Sequence, residues 1–115
     1  RALWADQPAS FHGDHVDFDD CILLPAPVRG TIPVHVGGHT EVSARRAGRL
    51  GDGFFPGKGS HEELAHLFSI VRRTAEEHGR DPSSVQLTSA GRGAVGSRAA
   101  EEVELLAGLG VERVI

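Results

Sequence analysis

From residue 32 onward the chain alternates short β-branched runs with amphipathic helical stretches, and this alternation restricts the fold more than any other feature. The first run, Ile32, Pro33, Val34, His35 and Val36, carries its proline near the start, where a missing N–H is tolerable. Thr40 then reads as the N-cap of a helix reaching Leu50, with Val42, Ala47 and Leu50 turned to the core and Gly51 as the C′ residue. Residues 52 to 55 form a second strand. Ser60 with Glu63 three positions later is a capping box, and Leu64, Leu67, Phe68, Val71 and Ala75 follow at helical spacing until Gly79 ends the helix. Pro82 turns the chain into a third strand over residues 85 to 89. Ser97 is the expected cap of a helix carrying Ala99, Val103, Leu106 and Leu109, Gly110 ends it, and residues 111 to 115 make a fourth strand.

Strands that alternate with helices in this way imply right-handed βαβ units and a parallel sheet. An α/β arc of that kind is either part of a (β/α)8 barrel or one wing of a doubly wound sheet, and strand order separates the two. Residues 1 to 31 stand apart from residues 32 to 115. They read as the end of a helix followed by a looser excursion, with a Gly13-Asp14 turn, apolar patches at Val16, Phe18 and Ile22 to Leu24, and the rigid Pro25-Ala26-Pro27; a β-hairpin suits them.

Composition bounds the function classes. At 115 residues, 39% of them hydrophobic and 15 of them glycine, the chain is one globular domain at most. A net charge of −4 offers no basic field for nucleic acid or an anionic membrane surface. No apolar run approaches the roughly 18 residues of a membrane span, and Arg1, Ala2, Leu3 and Trp4 before Asp6 lack the core of a signal peptide, so a cytoplasmic protein is expected. The lone Cys21 fits a reducing compartment and reads as a buried, inert thiol. The absence of Met and the β-rich final run suggest a piece of a longer protein.

Gly37 and Gly38 lie at the carboxyl end of a parallel strand and just before a helix N-terminus, where both candidate folds bind ligands. Without Cβ atoms the backbone can approach a ligand closely or take φ > 0, and the first-turn N–H groups and helix dipole favour an anion. The Thr40 hydroxyl is a further donor. A phosphate cradle explains the pair physically; a tight βα turn explains it equally well.

Taken with Leu3-Trp4, Ser10-Phe11-His12-Gly13, Pro25-Ala26-Pro27, Ala44-Arg45-Arg46-Ala47, Gly51-Asp52-Gly53-Phe54 and Gly79-Arg80-Asp81-Pro82, the run from Ile32 to Thr40 resembles the C-terminal half of the luciferase-like monooxygenase superfamily. Within it, the sequence is similar to the oxidoreductases that depend on the deazaflavin coenzyme F-420. The resemblance implies a (β/α)8 TIM barrel of which this chain supplies about strands five to eight. It implies that Val36, Gly37, Gly38, His39 and Thr40 hold the phosphate end of coenzyme F-420, or of FMN as the alternative. The implied chemistry is hydride transfer to or from a small organic substrate, or oxygen activation, with the cofactor supplying the reactive centre. The catalytic residues are then expected in the first half of the barrel.

Other residues have two readings each. Phe55 and Lys58 follow the second strand on the side where loops face an active site; Phe55 is a candidate pocket wall and Lys58 a candidate for an anionic substrate group or a plain solvated charge. Arg92, in the corresponding place after the third strand, is a second such candidate. His39 is either a phosphate ligand or a loop cap, and His35 a lining or core histidine more readily than a proton shuttle. Asp52 fixes its turn. His12, Asp14, His15 and Asp17 are closely spaced but lack metal-ligand spacing, and a solvated loop is expected with no metal. Arg45, Arg46 and Arg49 form a solvated helix face.

These readings lead to a fragment of a cofactor-dependent oxidoreductase, weak or inactive by itself because its cleft is incomplete. Its open sheet edges call either for a second copy or for the missing N-terminal half of the same protein. The alternatives are a non-catalytic phosphate-binding module and a structural βα remnant.

Overall fold

The first thirty residues mix polar and apolar side chains with no sustained period. The computed structural model describes residues 1–5, 7–91 and 96–115, which divide into two units, Arg1–Ile32 and Pro33–Ile115. The first unit holds a single helical turn, α1 (Ala2–Ala5), and an antiparallel hairpin of β1 (Ala9–His12) and β2 (Asp17–Cys21). The Gly13 N–H donates to the Val16 carbonyl at 3.0 Å to close the turn, and the Phe11 and Phe18 rings stack across it at 6.1 Å. The Gln7 amide ties the ends together, donating to the Leu3 carbonyl (2.8 Å) and accepting from the Leu23 N–H (3.1 Å). Ala9 is the one buried hydrophobic residue of this unit among the described residues. Cys21 is exposed, contrary to the buried thiol expected: it ends β2 in a unit that has no core to cover it.

The second unit alternates β3 (His35–Gly37), α2 (Glu41–Leu50), β4 (Gly53–Phe55), α3 (His61–Glu77), a 3-10 turn (Pro82–Ser84), β5 (Gln86–Ser89), α4 (Ala99–Gly108) and β6 (Arg113–Val114). Its strands form one parallel sheet in the order β3-β4-β5-β6, without a reversal. Val36, Phe54 and Leu87 share a row on the helix side of the sheet, where Phe54 and Leu87 pack with Leu64, Phe68 and Val71. The Phe54 and Phe68 rings meet edge to face at 6.3 Å and 89°, a contact that adds about 0.5–1.5 kcal/mol beyond burial. Every residue of the α3 stripe read from the sequence is buried, and Ser60 and Glu63 close the capping box in both directions.

Helix α2 packs differently from expectation. Its buried residues are Ala44, Ala47 and Gly48, whereas Val42 and Leu50 are exposed. The cause is close approach. A Cβ on Gly48 would lie 2.5 Å from the Val71 carbonyl oxygen and 2.8 Å from Thr74 Cβ, so the smallest face of α2 is the one that fits against α3. Gly51 has φ −84 and is the C-cap, not a left-handed C′ residue; its lack of a side chain leaves room for the Ala47 and Gly53 carbonyls. The open carbonyls at the end of α2 are satisfied by Arg80, which donates to the Gly48 and Gly51 oxygens, the latter at 2.6 Å. In α4, Arg98 and not Ser97 is the N-cap and makes no side-chain cap bond; Leu106 is buried and Val103 exposed, because this helix meets the core along one line only.

Candidate cofactor and substrate site

The site is built at the carboxyl edge of the parallel strands, where each strand hands over to a helix. β3 ends at Gly37, around which a side chain would meet open space. Gly38 is constrained twice over: its φ of +131 suits glycine, and a Cβ there would lie 2.8 Å from Ser43 Oγ. Its N–H donates to the Phe55 carbonyl at 3.2 Å, tying the loop to β4.

Thr40 and Ser43 cap α2 reciprocally. Ser43 N–H donates to Thr40 Oγ1 (3.3 Å), Thr40 N–H donates to Ser43 Oγ (3.1 Å), and Ser43 Oγ donates to the Thr40 carbonyl (2.7 Å). The Thr40 hydroxyl is thus engaged in building the helix end. The N–H groups of His39, Glu41 and Val42 have no partner among the described residues, and they form the donor set an oxyanion would meet at the start of α2. Glu41 brings a negative charge to the same turn. That charge is countered by His66 Nε2 at 3.1 Å and Arg45 at 2.7 Å, which hold the carboxyl below its ordinary value of 4.5, the His66 bond contributing most.

A second helix N-terminus faces the first. Ser60 N–H donates to Glu63 Oε2 at 2.7 Å, lowering the Glu63 carboxyl below its usual 4.5, and Lys58 lies two residues upstream. Between the two helix starts runs a groove of about 580 Å³ lined by His39, Glu41, Lys58, Ser60, Glu63 and His66, among others. Lys58 also borders a smaller cavity of about 140 Å³ at the carboxyl ends of β4 and β5, where His61 Nε2 and Glu102 meet at 3.0 Å and join α3 to α4.

Of the candidate residues read from the sequence, His39 and Lys58 therefore share one groove. Val36 is half-buried against the core, and Gly37, Gly38 and Thr40 form the loop and cap beside that groove. Phe55 is on the other side of the sheet, in a cavity with His35, so Phe55 and Lys58 line no common pocket among the described residues. Arg92 lies outside the described residues. Asp52 does fix its turn: it accepts from Val34 N–H at 2.9 Å through Oδ2 and donates its own N–H to the Val34 carbonyl at 2.8 Å. In the hairpin, His12 is flanked by Asp17 (3.1 Å) and Asp19 (3.3 Å), while Asp14 and His15 take no part in that cluster. One ligand atom from each of His12, Asp17 and Asp19 lies within 4.8 Å of the others, and all three residues are exposed. Sequence reasoning missed Ser43 and Arg80. Ser43 carries a signal, a hydroxyl at N3 of the cap; Arg80 carries none, since its targets lie about thirty residues away.

Consecutive parallel strands, helices packed on the Phe54 and Leu87 face and open loops at the carboxyl edge define part of a (β/α)8 barrel. The chain belongs to the luciferase-like monooxygenase family, whose model matches residues 1–113. It is 39% identical over 80 residues to an uncharacterised protein of Mycobacterium tuberculosis, covering 70% of this chain and 27% of that protein. It is 35% identical over 83 residues to an F420-dependent glucose-6-phosphate dehydrogenase of Tsukamurella paurometabola, covering 70% of this chain and 24% of that one. Among solved structures, an F420-dependent secondary alcohol dehydrogenase in complex with an F420-acetone adduct aligns with a TM-score of 0.67 and 27% identity over 76% of this chain and 27% of its own. The matched stretch spans about a quarter of the length of these relatives. Among the described residues, no helix is long and apolar enough to cross a membrane.

Proposed function

We propose that this chain provides the phosphate-holding rim of a deazaflavin cleft in an oxidoreductase that acts on a small organic substrate. The observation that carries this reading is the donor set at the start of α2: three backbone N–H groups without partners among the described residues, following a glycine held at φ +131. A phosphate fits there, with its charge met by the helix end and by His39 and Lys58 from the adjoining groove. Glu41, which would oppose an anion, is already engaged by His66 and Arg45. Val36, Gly37, Gly38, His39 and Thr40 are the proposed cofactor-phosphate loop, and Lys58 the proposed contact to an anionic group of cofactor or substrate.

When bound, the deazaflavin supplies hydride chemistry. The protein's own contribution here is positional. Gly38 shapes the turn, the Thr40 and Ser43 pair holds the helix end rigid, and the open N–H groups orient the phosphate. FMN ends in a phosphate as well, so this rim serves either cofactor. Relatives named for F420 dependence favour the deazaflavin.

The test is a fluorescence titration of the chain with F420, FMN and inorganic phosphate. Saturable F420 binding, weakened at least tenfold in Gly38→Val with the fold intact by circular dichroism, supports the reading. Equal F420 affinity in the variant removes the loop from the site, and phosphate binding with no preference for either ring favours a phosphate module over a cofactor cleft.

A further inference from the structure

The face of the sheet turned away from the helices carries a second group of polar side chains that the phosphate rim does not use. His35, Phe55, Thr88, Arg113 and Ile115 line a cavity of about 140 Å³ there. Thr88 and Arg113 are register partners on adjacent strands, so their side chains project to the same side, about 4.8 Å apart at the backbone. His35 occupies the space above Gly53: a Cβ on Gly53 would collide with the imidazole ring, and the absence of a side chain lets that ring lie across β4.

Of the three polar groups, Thr88 is buried, while His35 and Arg113 are exposed. Thr88 is 2% exposed, and its Oγ1 is buried without a hydrogen-bond partner. Neither the Arg113 guanidinium nor the His35 imidazole has a hydrogen bond or ion pair among the described residues. Buried hydroxyls are nearly always paired, so the Thr88 orphan, beside an exposed guanidinium with no protein partner among the described residues, marks a place where something with acceptor atoms belongs. Arginine has donors and no acceptor, and a threonine hydroxyl can donate while its methyl packs against apolar walls. Phe55 and Ile115 supply those walls.

We propose that this cavity is an oxyanion subsite, in which Arg113 and Thr88 jointly hold a carboxylate or phosphate group of a small organic anion, with His35 donating from the far side. A volume of 140 Å³ accommodates a group of a few non-hydrogen atoms, given about 30 Å³ for each water it displaces. The subsite lies on the opposite face from the α2 and α3 packing and shares none of the groove's lining residues.

The test is an NMR titration of the labelled chain with sodium acetate and with inorganic phosphate, following the Thr88 and Phe55 amides and the Arg113 side-chain N–H. Saturable shifts at those three positions are expected, with a Kd of order 1–10 mM. Affinity should fall at least tenfold in Arg113→Gln and severalfold in Thr88→Val. A tighter response to acetate assigns the subsite to carboxylates, and a tighter response to phosphate assigns it to phosphate esters. Shifts that do not saturate, or that persist equally in both subsite variants, overturn the proposal. Thr88→Val also provides a ligand-free check: removing an orphaned hydroxyl raises the melting temperature, whereas a lowered one means the hydroxyl has an internal partner and overturns the proposal.

Discussion

The two units of this chain bury apolar side chains to very different extents. In Pro33–Ile115 a continuous core joins α2, α3, α4 and the sheet, with Phe54, Phe68, Ile70 and Leu87 all nearly inaccessible. In Arg1–Ile32 the buried hydrophobic is Ala9, while Val16, Ile22, Leu24 and Val28 are more than half exposed. The hairpin is held by its ladder, one ring stack and the Gln7 clamp, so its order rests on a few local contacts. A parallel sheet has no local closure of that kind, since its strands meet only after a helix has crossed between them. It exists because the helix it carries brings apolar area with it.

That contrast is testable, and the largest effect should come from aromatic truncation. Phe68→Ala is expected to cost about 3–5 kcal/mol in urea unfolding, while Phe11→Ala in the hairpin should cost no more than about 1 kcal/mol. Comparable losses would mean that the hairpin contributes to a common core. A smaller effect sharpens the account of α2. Gly48→Ala should lower stability by about 1–3 kcal/mol, because the new methyl meets the Val71 carbonyl, which cannot move without distorting α3. In the hairpin a methyl on Gly13 would meet the Phe11 ring, a side chain free to turn, and Gly13→Ala should shift stability by less than about 0.5 kcal/mol. Equal penalties would remove close helix approach as the reason for the glycine.

The smallest effect concerns the capping box of α3. Glu63 accepts the Ser60 N–H, and its carboxyl is held below the ordinary 4.5 by that bond. A carboxyl with a lowered pKa in the folded state stabilises fully above its unfolded value and loses that contribution as the pH falls through the folded one. The difference in melting temperature between the parent chain and Glu63→Ala should therefore be steady near neutral pH and narrow as the pH drops below 4.5. Parallel curves across that range would show that the bond contributes through shape alone.

Much of the fold and part of the site were legible in the residues themselves. The α3 helix was, since Ser60 and Glu63 act within one turn and the apolar stripe repeats along one element. The βα order, the parallel pairing, the hairpin and the turn role of Asp52 were readable for the same reason: each depends on neighbours in sequence or on the sign of a short pattern. The position of the glycine loop at a strand's carboxyl end followed directly from that order. Three things were not legible. Val42 and Leu50 were expected inside and lie outside; Cys21 was expected buried and is exposed; Phe55 and Lys58 were read as neighbours of one pocket and line different ones.

Their common cause is that burial and convergence are properties of pairs of elements. The sequence by itself determined which residues form helices and strands, where those elements start, and that the strands run parallel, because capping, periodicity and crossover length act along the chain. Tertiary structure decided which face of α2 is covered, since Ala44, Ala47 and Gly48 win that face by fitting α3 and not by hydrophobicity. It also brought His39 and Lys58 to one groove, sent Arg80 to the end of a distant helix and set Thr88 opposite Arg113 on neighbouring strands. Contacts of that kind are made across space between segments whose residues carry no record of one another.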